Sequence, residues 1–317
     1  MNLCIVGYGT TANDHARVLQ EIGGCRLHSV VGRVPERARA FAEQWGLSYW
    51  TTDLEEALRQ PVDAVIVATP SALHFEQARA CLQAGKHVLV EIPLTLDYAQ
   101  ACELVELANR RGLALMVAHT TRFLSAFRRA AEIIRAGRIG RVYQVLGRRL
   151  LLRRTDSDWL GRERSWTDNL LFHFGAHLID YTLWALATEM EEITARALPF
   201  PPDRGSAMDI ALLGRTRSGA LASYALSFSS HERLYDWVII GHDGTLHLWD
   251  FVHLTLHGEP LEHAGPMDVR EAVLQAVKEQ DAEFLAALRE GRSPSPSGAD
   301  VLPTMKALQV AADQVKF

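Results

Sequence analysis

The apolar run Leu3-Cys4-Ile5-Val6 ends in Gly7-Tyr8-Gly9-Thr10-Thr11-Ala12, and a helical pattern follows over residues 13–22. A strand, a glycine turn and a helix in that order constrain the fold more than any other feature of the chain. This is the backbone on which a dinucleotide pyrophosphate is held. Gly7 permits the tight turn, and Gly9 lets the backbone approach a phosphate at the helix N-terminus, where N–H groups and the helix dipole favour negative charge. Ala12 takes the third glycine position, which serves close helix–strand packing and tolerates a methyl group. Gly7, Tyr8, Gly9, Thr10 and Thr11 are therefore candidate cofactor-binding residues. A glycine turn before a helix is also an ordinary connection, so the reading needs support from elsewhere in the chain.

That support comes from repetition. Strand candidates recur at residues 26–31, 64–68, 87–90 and 114–117, with helical segments between them. Such alternation implies parallel pairing, hence an α/β, doubly wound, Rossmann-type sheet over residues 1–118. The second strand runs into Gly32-Arg33, where an acid normally holds the adenosine ribose. No carboxylate stands there. Arg33, with or without Arg37, suits the 2′-phosphate of NADP; the plain alternative is a solvated arginine opening a surface helix. NADP is thus the expected cofactor, with NAD as the alternative.

From residue 119 the pattern changes. A basic helix over 124–136 precedes long strand candidates at 142–153, 193–198, 209–216, 220–229, 235–240 and 245–249. Short turns such as Arg217-Ser218-Gly219 and His242-Asp243-Gly244 separate several of them, as antiparallel hairpins require. Helices over 271–290 and 298–315 close the chain around the breaker Ser293-Pro294-Ser295-Pro296. Residues 119–317 therefore read as an α+β domain with a large, mainly antiparallel sheet.

Composition narrows the function classes. The net charge of −5 argues against nucleic acid as a partner, and no apolar stretch has the length of a membrane span. The apolar N-terminus lacks a basic leader and is interrupted by Gly7 and Gly9, a poor match to a signal peptide. Cys4, Cys25, Cys81 and Cys102 lack metal-type spacing, so reduced thiols in a cytoplasm are the expectation.

The chemistry-bearing segment runs from Arg164-Ser165-Trp166 to Asp180. His173, His177 and Asp180 recur at i, i+4 and i+7, which a helix places on one face. Two imidazoles and a carboxylate on an otherwise apolar stripe need partners, so the stripe is either a site or a satisfied polar core. A zinc site on the two histidines is disfavoured, because Phe174 replaces the glutamate of His-Glu-x-x-His and no third ligand is evident. No metal is expected.

Together, the glycine loop, Ala68-Thr69-Pro70-Ser71-Ala72-Leu73-His74, Glu91-Ile92-Pro93 and His173-Phe174-Gly175-Ala176-His177-Leu178-Ile179-Asp180 resemble the Gfo/Idh/MocA family of nicotinamide-dependent oxidoreductases. The resemblance implies that Thr69, Pro70 and His74 wall the cofactor and that Glu91 and Pro93 lie near the nicotinamide. Two proton-handling positions depart from the family pattern. Ile92 stands where Glu-Lys-Pro has lysine, and His173 stands where Asp-x-Gly-x-His-x-x-Asp has its leading aspartate. Isoleucine neither gives nor takes a proton, so His177 is the expected general base, with His173 orienting or sharing the proton.

The pairing of Glu-Ile-Pro with Arg-Ser-Trp-Thr-Asp-x-Leu-Leu-x-His-x-x-Ala-His is similar to one branch of that family. Its members oxidise the cyclic hemiacetal of a dicarboxylate with NADP in aromatic catabolism. The hydroxyl of a hemiacetal is more acidic than that of a secondary alcohol, so histidine suffices where a sugar dehydrogenase uses lysine. Arginine forks bind carboxylates bidentately. Among Arg122, Arg148, Arg149, Arg153, Arg154, Arg162 and Arg164, the matching motifs single out Arg122, Arg153 and Arg164 as substrate-binding residues. His173 and Asp180 join them, and Trp166 lies against a planar ring or anchors the helix start. The resemblance also implies an oligomer, dimeric or tetrameric, through the outer face of the sheet. A sugar or inositol dehydrogenase and a non-catalytic NADP-binding sensor are the competing functions.

Overall fold

Four strands of the first sheet are buried on both faces, which explains their unbroken apolar runs: Ala64, Val65, Ile66 and Val67, for instance, are each 0% exposed. The computed structural model describes residues 1–153, 169–199 and 207–315. It divides into two compact units, Met1–His119 with Val277–Leu302, and Thr120–Ala276 with Pro303–Phe317.

In the first unit, β1 (Asn2–Val6), α1 (Thr10–Ile22), β2 (Arg26–Val31), α2 (Pro35–Trp45), β3 (Tyr49–Thr51), α3 (Leu54–Leu58), β4 (Ala64–Val67), α4 (His74–Gln83), β5 (His87–Val90), α5 (Tyr98–Arg111) and β6 (Leu115–Val117) follow in order. The strands pair in parallel in the order β3-β2-β1-β4-β5-β6. The order of strand addition reverses between β1 and β4, and ligands of such sheets bind beyond the strand C-termini at that switch point. The loops bearing Gly7–Gly9, Thr69–Pro70 and Glu91–Pro93 all leave the C-terminal ends of β1, β4 and β5.

In the second unit, α6 (Ser125–Arg135), β7 (Val142–Leu152) and α7 (Ala176–Ala185) precede β8 (Met190–Ala197), β9 (Asp209–Thr216), β10 (Leu221–Ser227), β11 (Ser229–Gly241), β12 (Thr245–Trp249), β13 (His253–Leu256) and β14 (Glu259–Pro260). The eight-stranded sheet has the order β14-β13-β12-β11-β7-β10-β9-β8. Its pairs are antiparallel except β7 with β10. Residues alternate between its faces, as a sheet covered on one side requires. Ile210 and Leu212 are buried while Leu213 is 57% exposed; Ala222 and Tyr224 are buried while Leu221 is 48% exposed.

The helices α8 (Val269–Glu290) and α9 (Leu302–Gln314) close the chain. Residues 277–302, expected in the second domain, belong to the first unit. Lys278 Nζ reaches Glu21, Arg289 Nη2 donates to the Gly23 carbonyl, and Ser297 bridges to Met116 beside β6. The edge strand β3 spans only three residues, too few to set up a recognisable period.

The core of the second unit centres on Trp237, which is 0% exposed. The rings of Phe127, Tyr181 and Tyr235 lie edge-on to it at 4.9, 5.3 and 4.8 Å. Its indole N–H has no hydrogen-bond partner. Trp237→Ala is expected to cost about 3–5 kcal/mol in urea denaturation. Trp237→Phe keeps an aromatic ring and removes the unpaired donor, so its cost should stay below about 1.5 kcal/mol. Equal losses in the two variants would contradict this assignment of the core.

Candidate active site

The glycine loop of the first unit has the steric profile of a phosphate cradle. Gly7 has φ +120°, and a Cβ there would lie 2.3 Å from the Ala68 carbonyl oxygen. At Gly9, the N-cap of α1, a Cβ would meet nothing within 4 Å. One glycine is thus demanded by the protein's own backbone, and the other borders open space at a helix N-terminus, which fits a pyrophosphate. Thr10 and Thr11 form the first turn of α1. The Tyr8 ring packs over Gly32, where a Cβ would come within 2.4 Å of it. Arg33 follows, exposed, at the end of β2.

The loop after β4 is pinned to the loop after β5 by His74. This residue is 1% exposed, with Nδ1 2.7 Å from the Pro93 carbonyl oxygen and Nε2 2.9 Å from that of Thr69. His74 therefore ties together the two loops that bear Thr69 and Pro93. Ile92 is buried at 7% exposure, so an apolar side chain is well accommodated where the family pattern has lysine.

Glu91 has a partner that the sequence did not reveal. Its Oε1 lies 2.9 Å from Nε2 of His15 on α1, and Nδ1 of His15 lies 2.8 and 3.0 Å from the two oxygens of Asp281 on α8. His15 is 0% and Asp281 1% exposed. Burial alone would lower the His15 pKa, but the two carboxylates outweigh it and raise the value to about 10. Burial also raises the Asp281 pKa, against the pull of His15. The imidazolium is thus shared by two carboxylates and ties three elements together. A signal was present in sequence: His15 lies among Ala12, Ala16 and Leu19 on the apolar face of α1, where a polar ring requires partners.

In the second unit, Asn169 Oδ1 accepts the Phe172 N–H, and the helix opens with a π turn over Leu171–Gly175 before α7. Such turns add a residue to a helical turn and recur at functional sites. The His173 and His177 rings lie 5.9 Å apart at 81°, and both residues are partly exposed. A Cβ at Gly175 would meet Leu171 and Leu308 at 3.2 and 3.3 Å, which accounts for the glycine of the motif.

His177 Nδ1 lies 3.2 Å from Thr121 Oγ1, and that hydroxyl lies 3.3 Å from the Tyr235 hydroxyl. Asp180 faces Arg122. The guanidinium binds it through Nε at 2.8 Å and Nη2 at 2.6 Å, and Thr304 Oγ1 adds a bond at 3.2 Å. Arg122, expected on a substrate carboxylate, thus turns its fork to a carboxylate of the protein. The Arg153 guanidinium stacks on Phe228 at 4.5 Å. Arg164 and Trp166 lie outside the described residues, as do Arg154 and Arg162. Among the described residues no group of three or more His, Cys, Asp or Glu is arranged to hold a metal, and no helix is long and apolar enough to cross a membrane.

The glycine cradle, the switch-point loops and the histidine helix above a large sheet define a nucleotide-dependent redox class, and comparison with known proteins agrees. Residues 1–119 match an oxidoreductase family with an NAD-binding Rossmann fold, and residues 127–265 match the GFO/IDH/MocA C-terminal domain. The chain belongs to the Gfo/Idh/MocA family of NAD(P)-dependent dehydrogenases. It is 34% identical over 309 residues to 4-carboxy-2-hydroxymuconate-6-semialdehyde dehydrogenase of Sphingobium sp., spanning 97% of this chain and 96% of that one. The fold is shared with the WlbA dehydrogenase from Bordetella pertussis, solved with NADH and UDP-GlcNAcA (TM-score 0.85, 21% identity, 99% of this chain and 95% of that one). It is also shared with scyllo-inositol dehydrogenase from Lactobacillus casei, solved with NAD(H) and scyllo-inositol (TM-score 0.83, 20% identity, 99% and 96%).

Because His15 is more basic in the folded chain than in the unfolded one, its contribution is complete below the ordinary imidazole pKa and is lost as pH rises through about 10. Thermal stability of the wild type should therefore fall more steeply between pH 7 and pH 10 than that of His15→Gln. His15→Ala leaves two carboxylates facing each other and should cost about 3–5 kcal/mol at pH 7. Parallel pH–Tm curves for wild type and His15→Gln would refute the shared charge.

Proposed function

We propose that the chain oxidises a small carboxylated cyclic hemiacetal or alcohol, passing hydride to NADP, with His177 as the proton acceptor. The observation that carries this reading is the hydrogen-bonded row His177–Thr121–Tyr235. If Nδ1–H donates to Thr121 and the Thr121 hydroxyl turns its hydrogen to Tyr235, His177 is held in the tautomer whose lone pair is on Nε2, the form a proton acceptor needs. The hydroxyl proton then goes to Nε2, and the carbon-bound hydrogen leaves with its electron pair as the carbonyl forms. The nicotinamide, when bound, accepts that hydride. Buried Ile92 supports a substrate acidic enough to need no lysine, and so weighs against sugars and inositols.

Arg122 serves by neutralising Asp180 and fixing α7, which leaves substrate carboxylates to other arginines such as Arg153. His173, edge-on to His177, orients the substrate or shares the proton. Arg33, exposed after a strand that ends without a carboxylate, favours NADP. The exposed Leu213 and Leu221 on the outer sheet face support a homodimer or homotetramer, and the free thiols suit the cytoplasm.

Turnover of NADP and NAD should be followed across cyclic hemiacetals with and without carboxylates, and across polyols. His177→Ala is expected to lower kcat by about 10²- to 10⁴-fold with dinucleotide affinity unchanged. Full activity in that variant would remove the base assignment. Faster turnover of polyols would favour a sugar dehydrogenase, and tight NADPH binding without turnover would favour a sensor. Arg33→Asp should shift kcat/KM from NADP toward NAD by about tenfold or more; an unchanged ratio would exclude Arg33 from the 2′-phosphate site.

A further inference from the structure

Arg149, on β7, is a cation in an apolar cage with nothing to bond. Its guanidinium lies 4.0 Å from the Tyr235 ring, 4.8 Å from Phe174 and 5.5 Å from Phe251. Nε and Nη1 are sealed from solvent without a hydrogen-bond partner, while the residue as a whole keeps partial exposure. The cage is built at some cost. Asp250 and Phe251 both take positive φ, 49° and 67°, a conformation that non-glycine residues seldom adopt. It brings the Phe251 ring to 4.3 Å from that of Tyr235.

Three aromatic faces attract a cation but offer it no in-plane acceptor. Arg148, the neighbour on β7, shows the ordinary solution: its fork grips Asp236, with Nε at 2.9 Å. Arg122 and Asp180 show the same. For Arg149, burial lowers the pKa to about 10, with Tyr235 and Asp250 opposing and Arg233 adding to the effect. An uncompensated guanidinium of this kind is stable only if something else rewards it.

Its position says what. Tyr235, which Arg149 covers, is the end of the row that orients His177. Phe174, the second wall, touches the His173 ring at 5.0 Å. We propose that Arg149 is a carboxylate-binding residue of the substrate pocket, reached through Nη2, which is not among its sealed nitrogens and which no group of the protein uses. The anion's identity as a substrate carboxylate rests on the dehydrogenase reading above; the need for a planar oxyanion does not. A carboxylate held there would stand beside the proton acceptor and select acidic rings over neutral ones.

The test is calorimetric, on the full chain saturated with NADPH, using benzene-1,3-dicarboxylate and its uncharged diamide as probes. The wild type should bind the dicarboxylate about 10- to 100-fold more tightly than the diamide. Arg149→Met should abolish that preference, leave NADPH affinity unchanged and hold or raise Tm, because it removes a charge without a partner. A structural arginine would instead lower Tm and leave the preference intact. Arg149→Lys, which keeps the charge but loses the fork, should weaken dicarboxylate binding by about fivefold or more, and it decides the matter if the methionine variant fails to fold. Wild-type affinity for the dicarboxylate in either variant, or no preference in the wild type, overturns the proposal. Arg149-dependent carboxylate binding without turnover of any substrate would support it while overturning the dehydrogenase reading.

Discussion

The first unit is organised around one imidazole. His15 is buried between Glu91 and Asp281, and each carboxylate comes from a different part of the chain. Two acids this close repel unless a cation separates them, and a cation in this setting is tolerable only because both acids are present. The consequence is cooperative. The helix that carries the glycine loop, the loop that follows β5 and the penultimate helix are held in one arrangement or in none. Glu91 also accepts the Ile92 N–H at 3.3 Å, so the same charge reaches the backbone of the motif.

The second unit uses the same principle with different chemistry. Asp180 and Arg122 form a closed, bidentate pair that asks nothing of a ligand. Arg149 is the complement: a similar side chain, on the same sheet as Arg148, with its donors unspent. Buried charges that are paired hold the fold, whereas Arg149, unpaired among the described residues, is proposed to find its partner in a substrate carboxylate. The π turn at Leu171–Gly175 belongs with this pocket, since it sets the azimuth of His173 against that of His177.

Much of this was legible in the sequence, and for identifiable reasons. Gly7 and Gly9 declare the cradle because backbone geometry leaves no other residue for the first and no reason for a side chain at the second. Strands β4 and β5 are recognisable because both of their faces are buried. The partners of His15 were hidden because Asp281 lies 266 residues away and no local pattern encodes that meeting. Asp180 was read with the histidines because its spacing is helical, yet helical spacing says only which face a side chain shares. The Arg122 fork that claims it comes from another element. Arg149 stood in a run of arginines with no feature to distinguish it. What distinguishes it is the absence of a partner, which only coordinates reveal.

The chain division within α8 bears on synthesis. A ribosome releases the six parallel strands long before Asp281 emerges. Until residues 277–302 follow, α1 carries a histidine with only one of its two acids, and β6 lacks the segment that bridges to it. The nucleotide-binding unit is therefore begun by residues 1–119 and completed only by residues 277–302, and a fragment ending at residue 119 is a sheet without its clasp. Gene fusions or permutations that preserve this unit would have to carry residues 277–302 along with residues 1–119.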